Sequence, residues 1–347
     1  MPLYALGSNG MGQLGVGHEE DLNAPQLVRI DGLKNPIQIA AGGNHTLILQ
    51  ENGVVHTVGD VSHGRCADNQ CAGKSDFAKL ISMVAATWTA STYVSAEGSG
   101  AGVPQVQEAV YGCGQGMKGE LGLGIALTSW TSPKLLEYEL QNFPPRGTKV
   151  VDISSSMGHT VVVLDNGTVY GWGQGRKGQL GQPEDAAWSP RKIEGIPFPV
   201  KRVACGKEFT YLVGDSAQGH HMILGADKWS VKTNAPEKVP DYVDIGAAWG
   251  SIYVLLHTGR LLSWGRNDHK QLAPDGLPSL DMIAVGSEHV LAKTSRGKVI
   301  AWGWGEHGNC GVPINANGDV ASWNHIPVQG KVKLLGAGCA TSFIYTE

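Results

Sequence analysis

Cys66 and Cys71, spaced C-x4-C with His63 nearby, are the nearest this chain comes to a metal-ligand pattern. A closed zinc site takes four ligands, and no second pair accompanies these, so no metal and no cofactor is expected. The sequence has no G-x-S-x-G elbow, no H-E-x-x-H pair and no G-x-x-x-x-G-K loop. Glycine runs such as GQGRKG lie between strands and lack the helix N-terminus that holds a phosphate. An enzyme is therefore not expected. What remains is recognition chemistry on loops: Trp88, Met157, Lys207, Glu208, Trp249, Ser287, Glu288, His289, Trp304, Glu306 and His307. Aromatic anchors among isolated charges are the composition of a protein-binding face.

The elements that position them repeat along the chain. GHTVVVLDNGTVYGWGQGRKGQLG (158–181) is the template. Val161–Val163 with Leu164 make a β-branched run, Asp165-Asn166-Gly167 signals a tight turn with Asn and Gly at positive φ, and Thr168 to Trp172 returns as a second strand. Equivalents of Gly173 are Gly7, Gly59, Gly114, Gly225, Gly265 and Gly303, which makes seven copies. Their spacing of roughly 40 to 60 residues is that of propeller blades, units that bury their faces only by stacking. Strand pairs begin near Ile39, Val84, Val151, Val203, Val243, Ile283 and Leu334. The last lacks the second strand of its pair, and Pro2–Leu6 supplies it. The expected fold is thus all-β, a seven-bladed propeller closed by a blade shared between N- and C-terminal strands, one domain over 1–347.

Composition agrees. Gly at 49 of 347 residues is about twice the usual share, consumed by loops that need left-handed or closely approached backbone. Charged residues are 17% and the net charge is −4, which is not the footprint of a nucleic-acid binder. No apolar run is long enough to span a membrane, and the N-terminus lacks a signal-peptide pattern. Six scattered cysteines read as reduced thiols, so the cytoplasm is the expected compartment, with the nucleus as a second. The stretch after Gly59 is a polar excursion, with a short helix near its end. EGSGAGVPQVQE (97–108) interrupts a hairpin as a flexible loop.

An antiparallel blade puts the connections between first and second strands on one face, and the hairpin turns on the other. The first residues of those connections, Gly43, Trp88, Met157, Lys207, Trp249, Ser287 and Cys339, should ring the channel mouth, with Trp304, Glu306 and His307 rising on the same face. Trp172, Trp264 and Trp302 hold the repeat's own position and read as core. His45, His159 and His289 recur at one repeat position, which reads as a bridge between blades. His18 and His220-His221 read as surface or turn residues.

The pattern apolar-A-x-G-x-x-H, strand, G-x-V-x-x-W-G-x-N-x-x-G-Q-L-G resembles the regulator of chromosome condensation repeat family, which implies a seven-bladed propeller over the whole chain. GSNGMGQLGVGHEED (7–21), AAGGNH (40–45), GSEH (286–289), AWGWGEHGNCG (301–311) and GAGCAT (336–341) are similar to its alpha-tubulin-suppressor branch. That branch implies a heterodimer with the small CSL-type zinc or iron electron-carrier protein. Its pathways are Elongator-dependent tRNA wobble-uridine modification, with Elongator an indirect partner, and diphthamide synthesis on elongation factor 2. The family's namesake implies an alternative, guanine-nucleotide exchange on the GTPase Ran, with 97–108 as a wedge by length. The namesake's basic tail is not expected here, since Met1 stands almost in the first strand. The G-W-R-H-T repeats of the plant ultraviolet-B propeller do not occur.

Overall fold

His159–Leu164 and Val169–Gly173 pair antiparallel, with Val150–Ser155 on one side and Ala187–Lys192 on the other. Every residue of His159–Leu164 is buried, whereas only Val150 and Ile153 of Val150–Ser155 are. A strand packed by neighbouring sheets on both faces needs a continuous apolar run, and this is why Val161 to Leu164 are consecutive. The computed structural model describes residues 1–62, 80–96, 107–138 and 141–347. The excursion carrying His63, Cys66 and Cys71, and most of the 97–108 loop, lie outside these residues.

The unit recurs seven times, giving an all-β seven-bladed propeller, and a short 3-10 turn lies at Lys228–Ser230. Pro36–Ala41, Ile81–Ala86, Val150–Ser155, Arg202–Cys205, Tyr242–Ala247, Leu280–Val285 and Val332–Ala337 are the inner strands, each against the next around a complete ring. Closure joins the two ends of the chain. Val332–Ala337 and Thr341–Thr346 come from the C-terminus, Leu3–Gly7 pairs with Thr341–Thr346, and Leu22–Leu27 forms the outer edge.

The repeated residues have local causes. Gly173 has φ 101°, the six equivalent glycines lie between 99° and 115°, and a Cβ on Gly173 would run into the Gly158 carbonyl. The turn at 165–167 differs from expectation. Only Gly167 takes positive φ, at 81°, while the Asn166 side-chain carbonyl accepts from the Thr168 amide at 3.0 Å. One left-handed residue closes the hairpin, and Asn166 serves as a hydrogen-bond acceptor. Gln179 likewise accepts from the Lys177 amide at 2.9 Å, and Gln13 from Met11 at 2.9 Å, which fixes the loop glutamine of the repeat.

The core tryptophans and histidines tie blades together. Trp302 donates to the Gln271 carbonyl at 3.0 Å and Trp264 to the Val231 carbonyl at 2.8 Å. Nε2 of His45 lies 3.1 Å from Ser91 Oγ, that of His159 lies 3.0 Å from Thr210 Oγ1, and that of His289 lies 2.9 Å from Ser342 Oγ, each partner in the following blade. Of the histidines read as surface, His18 meets Gln26 at 3.2 Å. His221 instead turns inward, its ring edge-on to Tyr211 at 5.6 Å and its Nε2 2.7 Å from the Pro236 carbonyl.

Burial lowers His159 and His289 to about 4. The unfolded chain, with histidine near 6.5, binds more protons between these values, so stability is complete above about pH 6.5 and falls as pH drops toward 4. Each histidine accounts for about 3 kcal/mol of that loss. Thermal melts across this window should show a steep fall in Tm. A His159→Gln, His289→Gln variant should show a shallower one, and identical slopes would contradict the neutral bridges.

Candidate protein-docking face

The connections between first and second strands meet at one end of the channel through backbone hydrogen bonds. The Gly43 amide donates to the Trp88 carbonyl (3.1 Å), Trp88 to Met157 (3.1 Å), Lys207 to Trp249 (3.1 Å), Trp249 to Ser287 (2.8 Å) and Ser287 to Gly338 (3.0 Å). The mouth is therefore a stitched rim, and side chains on it start from fixed positions. Glycine is required where rings of the second strand tuck under that rim: a Cβ on Gly42 or Gly286 would meet the His45 or His289 ring.

Trp88 and Trp249 come from blades that are not neighbours, yet their rings meet across the mouth, 6.0 Å apart and tilted 42°. Trp88 stays 36% exposed, which leaves a large aromatic face to water. Beneath the pair is a cavity of about 90 Å³ whose lining includes Thr87, Ser155, Ser156, Met157, Cys205 and Cys339. Burial pushes the Cys205 thiol up to about 12, so it stays protonated and unreactive at neutral pH. Lys207 is exposed and holds its ammonium 4.9 Å from the Trp249 ring centroid.

A second group forms beside the mouth. Ser287, Glu306, His307, Trp304 and Cys339 line a recess of about 70 Å³. Trp304 stacks on His269 at 5.0 Å, and His269 Nδ1 lies 2.8 Å from Asp319. His307 is edge-on to Trp304 at 6.4 Å, with its Nδ1 3.1 Å from Asp21. Two carboxylates thus orient two imidazoles around one half-buried indole.

Glu288 and His289 also line this recess but, unlike the other expected contact residues there, are buried. Glu288 is 3% exposed, ion-paired to Arg266 and accepting from Gln271 at 2.8 Å, with burial raising its carboxyl despite both partners. Arg266 is shared between Glu288 and Asp268, so the role of Glu288 is to brace the loop. His289 is 0% exposed and faces the next blade. Cys310 is also buried and out of reach of a docked protein. His289 holds the repeat's bridging position, whereas Glu288 is drawn inward by Arg266 and Gln271. Glu208, half-buried, lines a separate pocket on the same face.

Trp229 was not anticipated. It is 43% exposed at φ 63°, with the Arg266 guanidinium 5.1 Å above its ring, and it approaches the rim glycine Gly250. Its copy of the repeat is decayed, and a tryptophan in a loop released from the repeat was the available signal. Among the described residues no three His, Cys, Asp or Glu side chains are grouped to hold a metal.

Residues 2–344 match the RCC1-like domain. The chain belongs to the RCC1-like repeat family. An RCC1 repeat-containing protein of Schizosaccharomyces pombe is 30% identical, with 99% of each chain covered. The secretion-regulating guanine nucleotide exchange factor of Bos taurus is 26% identical over 97% of this chain and 81% of its own. Prp20p of Saccharomyces cerevisiae, studied for binding Gsp1p and histones, superimposes with a TM-score of 0.80 at 19% identity, covering 99% of this chain and 90% of that one. The last likeness is one of fold.

Proposed function

We propose that this protein is a non-enzymatic regulatory partner of the small CSL-type zinc or iron electron-carrier protein, docking it as a heterodimer on the Trp88–Trp249 face. It would thereby act in tRNA wobble-uridine modification, with Elongator as an indirect partner, and in diphthamide synthesis, from the cytoplasm with the nucleus as a second compartment. One observation carries the reading. Three segments that resemble the alpha-tubulin-suppressor branch, 286–289, 301–311 and 336–341, come from two successive blades and converge on one recess lined by Ser287, Trp304, Glu306, His307 and Cys339. A repeat scaffold requires glycines and core residues, not a half-buried Trp304 with exposed Glu306 and His307 beside the mouth. Contacts come from Trp88, Met157, Lys207, Glu208, Trp249, Ser287, Trp304, Glu306 and His307.

Similarity to an exchange factor over nearly the whole chain favours a second reading, nucleotide exchange on Ran. A pull-down against purified CSL protein and purified Ran separates the two. The first reading predicts a stable one-to-one complex with the CSL protein and no acceleration of nucleotide release from Ran. Faster release from Ran without CSL binding would overturn it.

A further inference from the structure

Away from the tryptophan pair, on the same face, the loops of the second and third blades and the rim of the fourth enclose a pocket of about 540 Å³. Met117, Trp188, Lys118, Arg176, Lys177 and Glu208 line it, with Asp185 at its edge. The loop of the second blade lies against the third blade's outer strand, where a Cβ on Gly119 would meet the backbone of Ala187 and Trp188. Met117 is 65% exposed, and Lys118, Arg176 and Lys177 are exposed beside it. Among the described residues, none of these three cations takes part in an ion pair. Asp185 is already matched to Arg191. A chain of net charge −4 has thus gathered unpaired positive charge around an apolar floor.

We propose that the Met117–Trp188 pocket captures an acidic peptide segment bearing an aromatic side chain, contributed by the docked protein partner. The inference rests on reading this face as the docking face, and it adds the chemistry of one partner segment. The apolar floor takes the aromatic ring, and the cation rim takes flanking carboxylates. Glu208 at the inner border disfavours a carboxylate there and so fixes the direction in which the acidic flank leaves. Three exposed cations give attraction that depends on salt, while the floor gives the part that does not.

The test uses the full protein and a short fluorescein-labelled peptide of Asp and Glu with one Phe. Saturable binding is expected, weakened about tenfold or more by Lys118→Glu, Arg176→Glu, Lys177→Glu together. An Asn/Gln counterpart peptide should bind about tenfold more weakly, and added salt should narrow that difference. Trp188→Ala should weaken the Phe peptide and leave an all-acidic peptide unchanged. If charge reversal unfolds the protein, the milder Gln triple serves instead, with about half the effect on a logarithmic scale. No saturable binding, equal binding by the folded triple variant, or tighter binding of an oligonucleotide of equal charge would overturn the proposal. The assay contains no CSL protein, so a negative result here leaves docking at Trp88 and Trp249 standing, and the converse holds.

Discussion

Deleting residues 1–7 is expected to abolish cooperative unfolding and to drive aggregation. Leu3–Gly7 is the third strand of the closing blade, paired with Thr341–Thr346 on one side and Leu22–Leu27 on the other. Leu3, Ala5 and Leu6 are buried, and the two leucines alone contribute about 2 kcal/mol each. The larger loss is topological. All six residues of Thr341–Thr346 are buried, so removing their partner turns an interior strand into an exposed apolar edge. The outer strand would be cut off as well, and the ring would lose the junction that makes it a ring. Thermal denaturation followed by circular dichroism, with size-exclusion chromatography, should show a broad or absent transition and high-mass species. An unchanged melting profile would contradict the shared blade.

The closure was legible because the defect was visible at both ends: a final copy short of a strand, and an initial strand without its hairpin. The rim was legible for a related reason. Topology alone places the first residue of each inner connection at the mouth, and Trp88, Met157, Trp249, Ser287 and Cys339 do line the cavity there. What could not be read was which way each neighbouring side chain turns. Glu288 and His289 follow Ser287 directly, yet one is drawn in by Arg266 and Gln271 and the other by Ser342 of the next blade. Those partners lie up to 53 positions away in sequence. His221 eluded the reading in the same way, because the rings that enclose it, Tyr211 and Trp264, belong to different blades. Trp229 and the pocket at Met117 and Trp188 were hidden because each depends on how loops of successive blades lie together, and no period encodes that.

Replacing Trp88 or Trp249 by alanine is expected to weaken partner binding by about 2 kcal/mol or more, roughly thirtyfold in Kd. The reason is geometric. Each indole is anchored on a rim whose backbone is hydrogen-bonded from blade to blade, so little freedom is lost when a partner closes over it. The rings also touch each other at 6.0 Å, so the two substitutions should not be additive, and the double variant should lose less than the sum. Lys207 stacks on Trp249, and Trp249→Ala would also release that ammonium, whereas Trp88→Ala would not. Neither tryptophan belongs to the packed core, so melting temperatures should stay close to wild type. Wild-type affinity in a folded double variant would remove both residues from the interface.

Lysine cross-linking of the complex with the CSL protein, read by mass spectrometry, tests the docking face most directly. Lys118, Lys177 and Lys207 stand on the mouth face, while Lys149 and Lys298 lie beside hairpin turns at the other end of the channel. The docking face proposed above predicts links from the partner to Lys207 and its neighbours and none to Lys149 or Lys298. Links concentrated at Lys149 and Lys298 would place the partner on the opposite face and contradict it.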